Sequence, residues 1–305
     1  MGKHNESIAV EYVKCNLCNS DSTRIFMKVD GFNIVKCKNC DLIYVNPRLK
    51  FNELEKIYKN KIYFNNQSFK DTNYTFYGYE NYLLEKKDII YTFIRRLNVI
   101  EKYKKPGTLL DIGCALGFFL ELALKRGWKA RGIEISKVAA GYAKKHQKSP
   151  VFNGTLEEVN YKKESFDVIT IFDVIEHVPN PKKTILQIKN LLKPGGIISI
   201  TTPNIGSLPA KILGKKWEEV RRVREHIYYF SDKTLNRLLK ESGFKILKIE
   251  SAGRYFSVES AVRRLNIYSS TLSGISSKFT RILGINNMRI YIDPYYKITV
   301  YARKI

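Results

Sequence analysis

Two carboxylates and an imidazole follow directly on an apolar run in the stretch IFDVIEHVPNP, Ile171 to Pro181. Val168, Ile169, Ile171 and Phe172 read as the end of a buried strand, yet Asp173, Glu176 and His177 come within five positions of it. In a helical turn, positions 173, 176 and 177 stand at i, i+3 and i+4 and share one face. Three chemistries fit such a trio. An imidazole oriented by a carboxylate is a general base for a hydroxyl. Carboxylates and imidazole together can instead ligate a divalent cation such as magnesium. In the third reading the acids only cap a helix and the histidine packs beside them.

Four of the five cysteines make a second constellation: CNLC (Cys15, Cys18) and CKNC (Cys37, Cys40) bracket eighteen residues. Each Cys-x-x-Cys turn aims two thiolates at one tetrahedral ion, and the intervening residues can form a hairpin that returns the second pair to the first. Four thiolates close the coordination sphere, so a zinc ion there is structural. A ribbon of roughly forty residues has too little core to stay folded without it.

The elements that must position these groups follow from the apolar pattern. Residues 1–50 form the expected zinc ribbon and 51–105 a helical linker and cap. In the linker, Leu83, Leu84, Ile90, Phe93, Ile94, Leu97 and Ile100 approach helical spacing until Pro106-Gly107 stops them. From residue 106 to 305 short apolar strands alternate with helices. The expected strands are 108–112, 129–135, 151–154, 166–172, 196–202, 244–251 and 296–302, with helices at 117–126, 137–146, 182–192 and 233–242. Such alternation predicts an α/β, Rossmann-like, doubly wound and mainly parallel seven-stranded sheet, with ligands at the carboxyl ends of its strands. Segments 205–230 and 255–292 break the rhythm and are expected to cap the substrate side.

At the end of the first strand stands LLDIGCALGFF. Gly113 and Gly117 let the backbone turn tightly and approach a ligand, and the next helix presents unpaired N–H groups. The spacing is GxxxG, without GxGxxG or GK[ST], which disfavours a dinucleotide fingerprint and a phosphate loop. Asp111 would repel a pyrophosphate but suits an amino group and a sulfonium. Glu134, about twenty residues on at the next strand end, can accept both hydroxyls of a ribose. An LKPGG turn at 192–196 accompanies them.

On DIGCALG (111–117), GIEIS (132–136), GTLEEV (154–159), FDVITIFDVIEHVPNP (166–181), LLKPGGIISITTPN (191–204) and ESGF (241–244), the chain resembles the class I S-adenosylmethionine-dependent methyltransferases from about residue 105 onward. With its CxxC…CxxC ribbon it looks like the zinc-ribbon members associated with surface polysaccharide and nucleotide-sugar modification, related to the ubiquinone-pathway O-methyltransferases. The resemblance implies that Asp111, Gly113 and Gly117 line the methionine end of the cofactor, that Glu134 holds the ribose, that Thr155 with Leu156 borders the adenine, and that Ala115, Ile135 and Phe172 are further cofactor-binding residues. Many relatives carry Asp where this chain has Thr155, so backbone would meet the adenine amine. It also brings His226, in VREHIYYFS, back to the cleft as a second catalytic histidine beside His177, Glu176 and Asp173. Some RNA-end and quinone methyltransferases hold a metal with a similar ExxEH…H pattern. Sugar C-methyltransferases with such a ribbon usually carry a further domain, so the resemblance favours O-methylation.

The formal net charge of +24 suits an acidic partner, whether a phosphate-bearing small acceptor, an anionic membrane surface or nucleic acid; it equally fits a lysine-rich compositional habit. Lys211, Lys215, Lys216, Arg221, Arg222 and Arg224 could meet a phosphate at the cleft mouth or lie on a solvated helix. The stretch 257–285 mixes apolar and basic residues in a way that fits a cap or a lipid surface. RNA is disfavoured as a substrate: no [DNS]PP[YF] follows the fourth strand, no Pro-Cys offers a thiol, and the ribbon lacks arginines interleaved with aromatics. No signal-peptide h-region or long apolar run occurs, so the expected location is cytoplasmic, with peripheral membrane contact through that stretch. His4 and His146 fit no cluster.

Overall fold

A computed structural model describes residues 9–59, 82–83, 85–264, 280, 282–286 and 288–305. The alternating rhythm builds one seven-stranded sheet, in the order Phe244–Ser251, Lys297–Lys304, Leu192–Pro203, Phe166–Phe172, Thr108–Ile112, Lys129–Glu134, Val151–Asn153. Only Lys297–Lys304 runs against its two neighbours; the other pairings are parallel. The chain builds outward from Thr108–Ile112 to Val151–Asn153 and then returns to Phe166–Phe172 on the other side of its starting strand. Where the winding reverses, the carboxyl ends of the two central strands part and leave a crevice.

Near-continuous apolar strands need cover on both faces, and successive residues supply the two faces in turn. Leu110, Ile169 and Ile198 join one apolar cluster, while their neighbours Leu109, Val168 and Ile197 join the other. Helices Phe118–Lys125, Lys137–Gln147, Pro181–Leu191 and Asp232–Glu241 lie within a residue of their expected bounds. Their starts have local causes. Ser136 accepts a hydrogen bond from Ala139 N, Asn180 accepts from Lys183 N with Pro181 at the first turn, and Ser231 with Thr234 forms a capping box.

Two expectations are corrected. LKPGG is not a separate turn: strand Leu192–Pro203 includes it, and a register shift between Leu192 and Ile197 absorbs Pro194 and the left-handed Gly195. Nor does a helix follow Phe172. Asp173 is left-handed (φ 56°), and Pro179 and Pro181 delay the helix until Pro181, so 173–180 is a loop with a single turn closed by His177 N donating to Val174 O.

The ribbon strands Thr23–Val29, Phe32–Cys37 and Ile43–Val45 pair antiparallel, and Tyr228–Tyr229 adds a fourth strand from far along the chain. Ribbon residues Cys15, Leu17, Val35 and Tyr44 belong to the same apolar cluster as Ile171, Ile185 and Ile200 of the large sheet. Helix Lys86–Tyr103 buries Ile89, Thr92, Arg96, Leu97, Val99 and Ile100. Residues 205–230 form helix Leu208–Leu213, two shorter turns and strand Tyr228–Tyr229. Strands Arg254–Ser257 and Arg289–Ile292 pair antiparallel beside the amino end of helix Lys86–Tyr103, through Arg254–Glu85 and Arg289–Asp88 ion pairs. Most of the stretch with expected lipid contact lies outside the described residues. No helix among the described residues is long and apolar enough to cross a membrane.

Candidate active site

The crevice is a cavity of about 320 Å3 lined by Asp111, Gly113, Ala115, Glu134, Ile135, Thr155, Leu156, Phe172, Asp173, Glu176, His177 and His226 among others, at the lower end of small-molecule sites. Of the expected site residues outside the cysteine cluster, Gly117 alone does not line it. Its left-handed backbone (φ 78°) closes the turn from behind, where an added Cβ would lie 2.9 Å from Ala143 Cβ. Gly113 is restricted differently: a Cβ would sit 2.3 Å from Val174 Cγ2, so only glycine lets the turn meet the loop that carries Glu176.

Glu134 organises that turn. One carboxylate oxygen accepts from Ala115 N at 2.9 Å, the other from Ser136 N at 2.8 Å. Asp111 is 4% exposed and accepts from Thr170 Oγ1 at 2.6 Å. Burial pushes its pKa up to about 7, although the Thr170 bond opposes the shift. Phe172 packs against Phe93 and Phe119, and the Arg96 guanidinium stands 4.8 Å from its ring centroid. Arg96 escaped the sequence reading. The signal was present as a cation on the buried stripe of helix Lys86–Tyr103, between Thr92 and Ile100.

At the other end of the cavity Glu176, His177 and His226 converge, with one ligating atom of each within 4.8 Å of the others. Glu176 is 1% exposed and accepts from Thr202 Oγ1 at 3.0 Å; burial, then the charge of Asp173, raises its pKa to about 8. His177 Nδ1 lies 3.0 Å from the Glu225 carbonyl, which can only accept, so Nδ1 carries the proton and Nε2 the lone pair. Burial, then Arg222, lowers the His177 pKa to about 4. His226 is 1% exposed, its pKa is held well below the usual value by burial and Arg222, and neither ring nitrogen has a hydrogen-bond partner. Glu219 Oε2 approaches its Nδ1 at 3.5 Å.

Asp173 does not join the trio. Its carboxylate accepts from Lys297 Nζ at 2.8 Å, and Lys297 also reaches Glu219 at 3.7 Å. Burial alone would raise the Asp173 pKa, but the charges of Lys297 and Arg96 hold it below the carboxylate range. Of the four donors considered for a divalent cation, Asp173 stands apart in its ion pair with Lys297, and Glu176, His177 and His226 are the ones brought together. Of the six basic residues considered for phosphate binding, only Arg222 lines the cavity, and it pairs with Glu225 at 3.0 Å. Lys211, Lys215, Lys216 and Arg221 are exposed. His146 stacks on Tyr142 and does not line the cavity.

The four ribbon cysteines also converge, all Sγ atoms lying within 4.8 Å of one another, with Cys15–Cys40 at 3.3 Å and Cys18–Cys37 at 3.5 Å. A tetrahedral ion with Zn–S bonds of about 2.3 Å needs sulfur edges of about 3.8 Å, so the donor set and its size fit zinc. Each knuckle closes alike. Asn19 N donates to Cys15 O and Asp41 N to Cys37 O, and both Asn19 and Asp41 are left-handed.

The raised pKa values of Asp111 and Glu176 carry a consequence for stability. Both pKa values stand above their unfolded ones, so the stabilisation is complete below about pH 4 and is lost as pH rises through about 7 and 8. Ligand-free protein is expected to lose on the order of 2 kcal/mol between pH 6.5 and 8.5 and to melt several degrees lower. A melting temperature that stays level or climbs across that range would contradict the assigned protonation.

The sequence model of the methyltransferase domain matches residues 86–249, more than half of the chain. The ubiquinone biosynthesis O-methyltransferase of Azoarcus sp. (strain BH72) is 34% identical over 107 residues, covering 32% of this chain and 44% of the relative. Its namesake from Saccharophagus degradans is 37% identical over 102 residues, covering 32% and 43%. The chain thus spans less than half the length of these curated relatives. A candidate methyltransferase of Bacillus halodurans C-125, solved by crystallography, superposes with a TM-score of 0.50 at 18% identity, over 69% of this chain and 98% of that one, which shows the shared fold. With the matched segment running from the helix that carries Arg96 through the last outer strand of the sheet, the chain belongs to the methyltransferase domain family.

Proposed function

We propose that the protein transfers a methyl group from S-adenosylmethionine to a hydroxyl of a small polar acceptor, of the nucleotide-sugar or lipid-linked saccharide class. The observation that carries this reading is the buried His226 imidazole, which lacks any hydrogen-bond partner and shares one cavity with Asp111 and Glu134. A buried polar group left unpaired costs about 1–3 kcal/mol, a cost that a ligand hydroxyl removes. The cofactor supplies an electrophilic methyl on a sulfonium. Asp111 would meet its ammonium, Arg96 its carboxylate and Glu134 its ribose hydroxyls, while Thr155 and Leu156 would border the base, all of them lining the same cavity.

On the acceptor side His226, or His177 through Nε2, takes the hydroxyl proton as oxygen attacks carbon. Such a base contributes about 10²- to 10⁴-fold. Neutral Glu176 keeps negative charge away from the nucleophile, and Lys297 neutralises Asp173. The sequence similarity to O-methylating relatives supports oxygen as the target. Lys297, Arg222, Arg254, Asp173, Glu218 and Glu219 line the cavity with the histidines, and this mixed charge favours a polar, hydroxyl-rich acceptor over a bare apolar ring.

Cys15, Cys18, Cys37 and Cys40 would hold one zinc ion as a cross-link within the ribbon. Purified protein is expected to contain one zinc per chain by atomic absorption. Cys37→Ser is expected to lose the metal and most of the soluble yield, since the ribbon core is continuous with the main one. Wild-type content near zero, with undiminished stability, would remove zinc from the account.

The activity is tested with methyl-labelled cofactor and separate pools of nucleotide sugars, lipid-linked saccharides, hydroxylated quinone precursors and bulk RNA. Label in a saccharide pool supports the proposal. Label confined to quinones or RNA rejects the acceptor class, and label on carbon rejects the oxygen assignment.

A further inference from the structure

The loop with Glu176 and His177 and the segment with His226 lie about fifty positions apart in sequence, bond directly to each other, and are both backed by the ribbon. Ile227 N and Tyr228 N both donate to Glu176 O, at 3.0 and 3.1 Å, so the two catalytic segments share one carbonyl. Behind them, Val45 N donates to Ile227 O at 3.0 Å, and Tyr228–Tyr229 pairs with ribbon strand Ile43–Val45.

Arg48 closes this arrangement. It is 6% exposed; Nη1 donates to Pro179 O at 2.9 Å and to the Tyr228 hydroxyl at 3.0 Å, and Nε donates to Glu11 Oε1 at 2.9 Å. Tyr228 Oη in turn donates to Pro179 O at 3.2 Å. One guanidinium therefore spans the end of the Glu176–His177 loop and the residue two beyond His226. Pro179 and Pro181 bring no N–H groups to this stretch, so its anchoring depends on donors from elsewhere.

A second tie comes from the first cysteine knuckle. Asn16, between Cys15 and Cys18, donates from Nδ2 to Asn180 Oδ1 at 2.9 Å and accepts from Lys182 N at 2.8 Å, while Lys182 Nζ donates to Leu17 O at 3.3 Å. The knuckle is thus joined to the start of the helix that follows the loop. We propose that the cysteine ribbon is the positioning scaffold of the acceptor site, with Arg48 and Asn16 as positioning residues that hold the Glu176–His177 loop against the segment carrying His226. The cofactor side, built by Asp111 and Glu134 on other strands, does not depend on these ties. The catalytic part of this inference rests on the proposed methyl transfer; the structural coupling stands without it.

Arg48→Ala, Arg48→Lys and Asn16→Ala are compared with the full wild-type chain, and Lys38→Ala on the exposed ribbon surface serves as control. Backbone hydrogen–deuterium exchange at Ile227 and Tyr228 is expected to speed up at least tenfold in Arg48→Ala and less in Arg48→Lys. In Asn16→Ala the faster site is expected at Lys182. Amides of Leu109–Ile112 should stay within twofold, and the calorimetric affinity for S-adenosylhomocysteine within threefold. Turnover of the methyl acceptor should fall about 30-fold in kcat for Arg48→Ala, with Lys38→Ala at the wild-type value. Faster exchange spread over the whole sheet, with cofactor affinity falling in parallel, would mean simple destabilisation and overturn the proposal. Unchanged exchange at Ile227, Tyr228 and Lys182 would overturn it as well. If Arg48→Ala yields no folded protein, Arg48→Lys and Asn16→Ala decide by the same amides. Wild-type protein without affinity for S-adenosylhomocysteine would instead sink the cofactor assignment, a result separate from the exchange readout.

Discussion

Glu134→Ala is expected to weaken S-adenosylhomocysteine binding by about 100-fold or more. Its carboxylate holds Ala115 N and Ser136 N, and under the proposed function it also takes the ribose hydroxyls. Removing it orphans two backbone donors and loses the ligand contacts together. Charge-assisted hydrogen bonds are worth about 1.5–3 kcal/mol each, so a loss of about 3 kcal/mol, near 100-fold in affinity, is a lower bound. Calorimetric titration measures it. Glu134→Gln separates the two functions: its amide oxygen can still accept from one backbone N–H, so an intermediate loss is expected. Wild-type affinity in the alanine variant would show that the ribose lies elsewhere.

His226→Ala is expected to reduce kcat by about 10²- to 10³-fold with cofactor affinity within a few fold. Because the His226 ring meets the protein's polar groups only loosely, with Glu219 Oε2 at 3.5 Å from Nδ1, deleting it leaves few broken bonds behind, and folding should survive. His177→Ala loses the bond to the Glu225 carbonyl and should cost a similar factor. If the pair acts as one unit, the double variant will lose little more than either single one. The pH profile is the independent check. Burial lowers the His177 pKa to about 4 and that of His226 well below the ordinary value. The basic form therefore persists until pH falls through the folded pKa, and kcat should hold level from pH 7.5 to 5.5. A descending limb centred near 6.5 would indicate a solvated histidine and remove these two from the role.

The Glu176–His177 loop shows why local reading reached only part of the site. Asp173, Glu176 and His177 were identifiable because acidic and imidazole groups at the end of an apolar strand break the pattern that burial imposes. Their geometry was not. A helical turn would have put the three on one face, but the left-handed Asp173 and the two prolines made a loop, and Lys297, from the last strand, drew Asp173 away. A contact between residues 173 and 297 has no periodicity to announce it.

Sequence by itself determined the strand and helix rhythm, because apolar period and capping residues act within a few positions, and it determined the glycine turn with Asp111 and Glu134, because those residues sit at strand ends whose order follows from connection rules. It also determined the cysteine knuckles, whose ligand spacing is a local property. Only the tertiary structure decided that Arg96 turns into the cavity, that His226 is buried without a partner, and that the ribbon shares its sheet with Tyr228–Tyr229 and its core with the large sheet. Each of these depends on distant segments being packed together. Burial is a property of the packed whole, and so are the shifted pKa values and unpaired donors that give the site its chemistry.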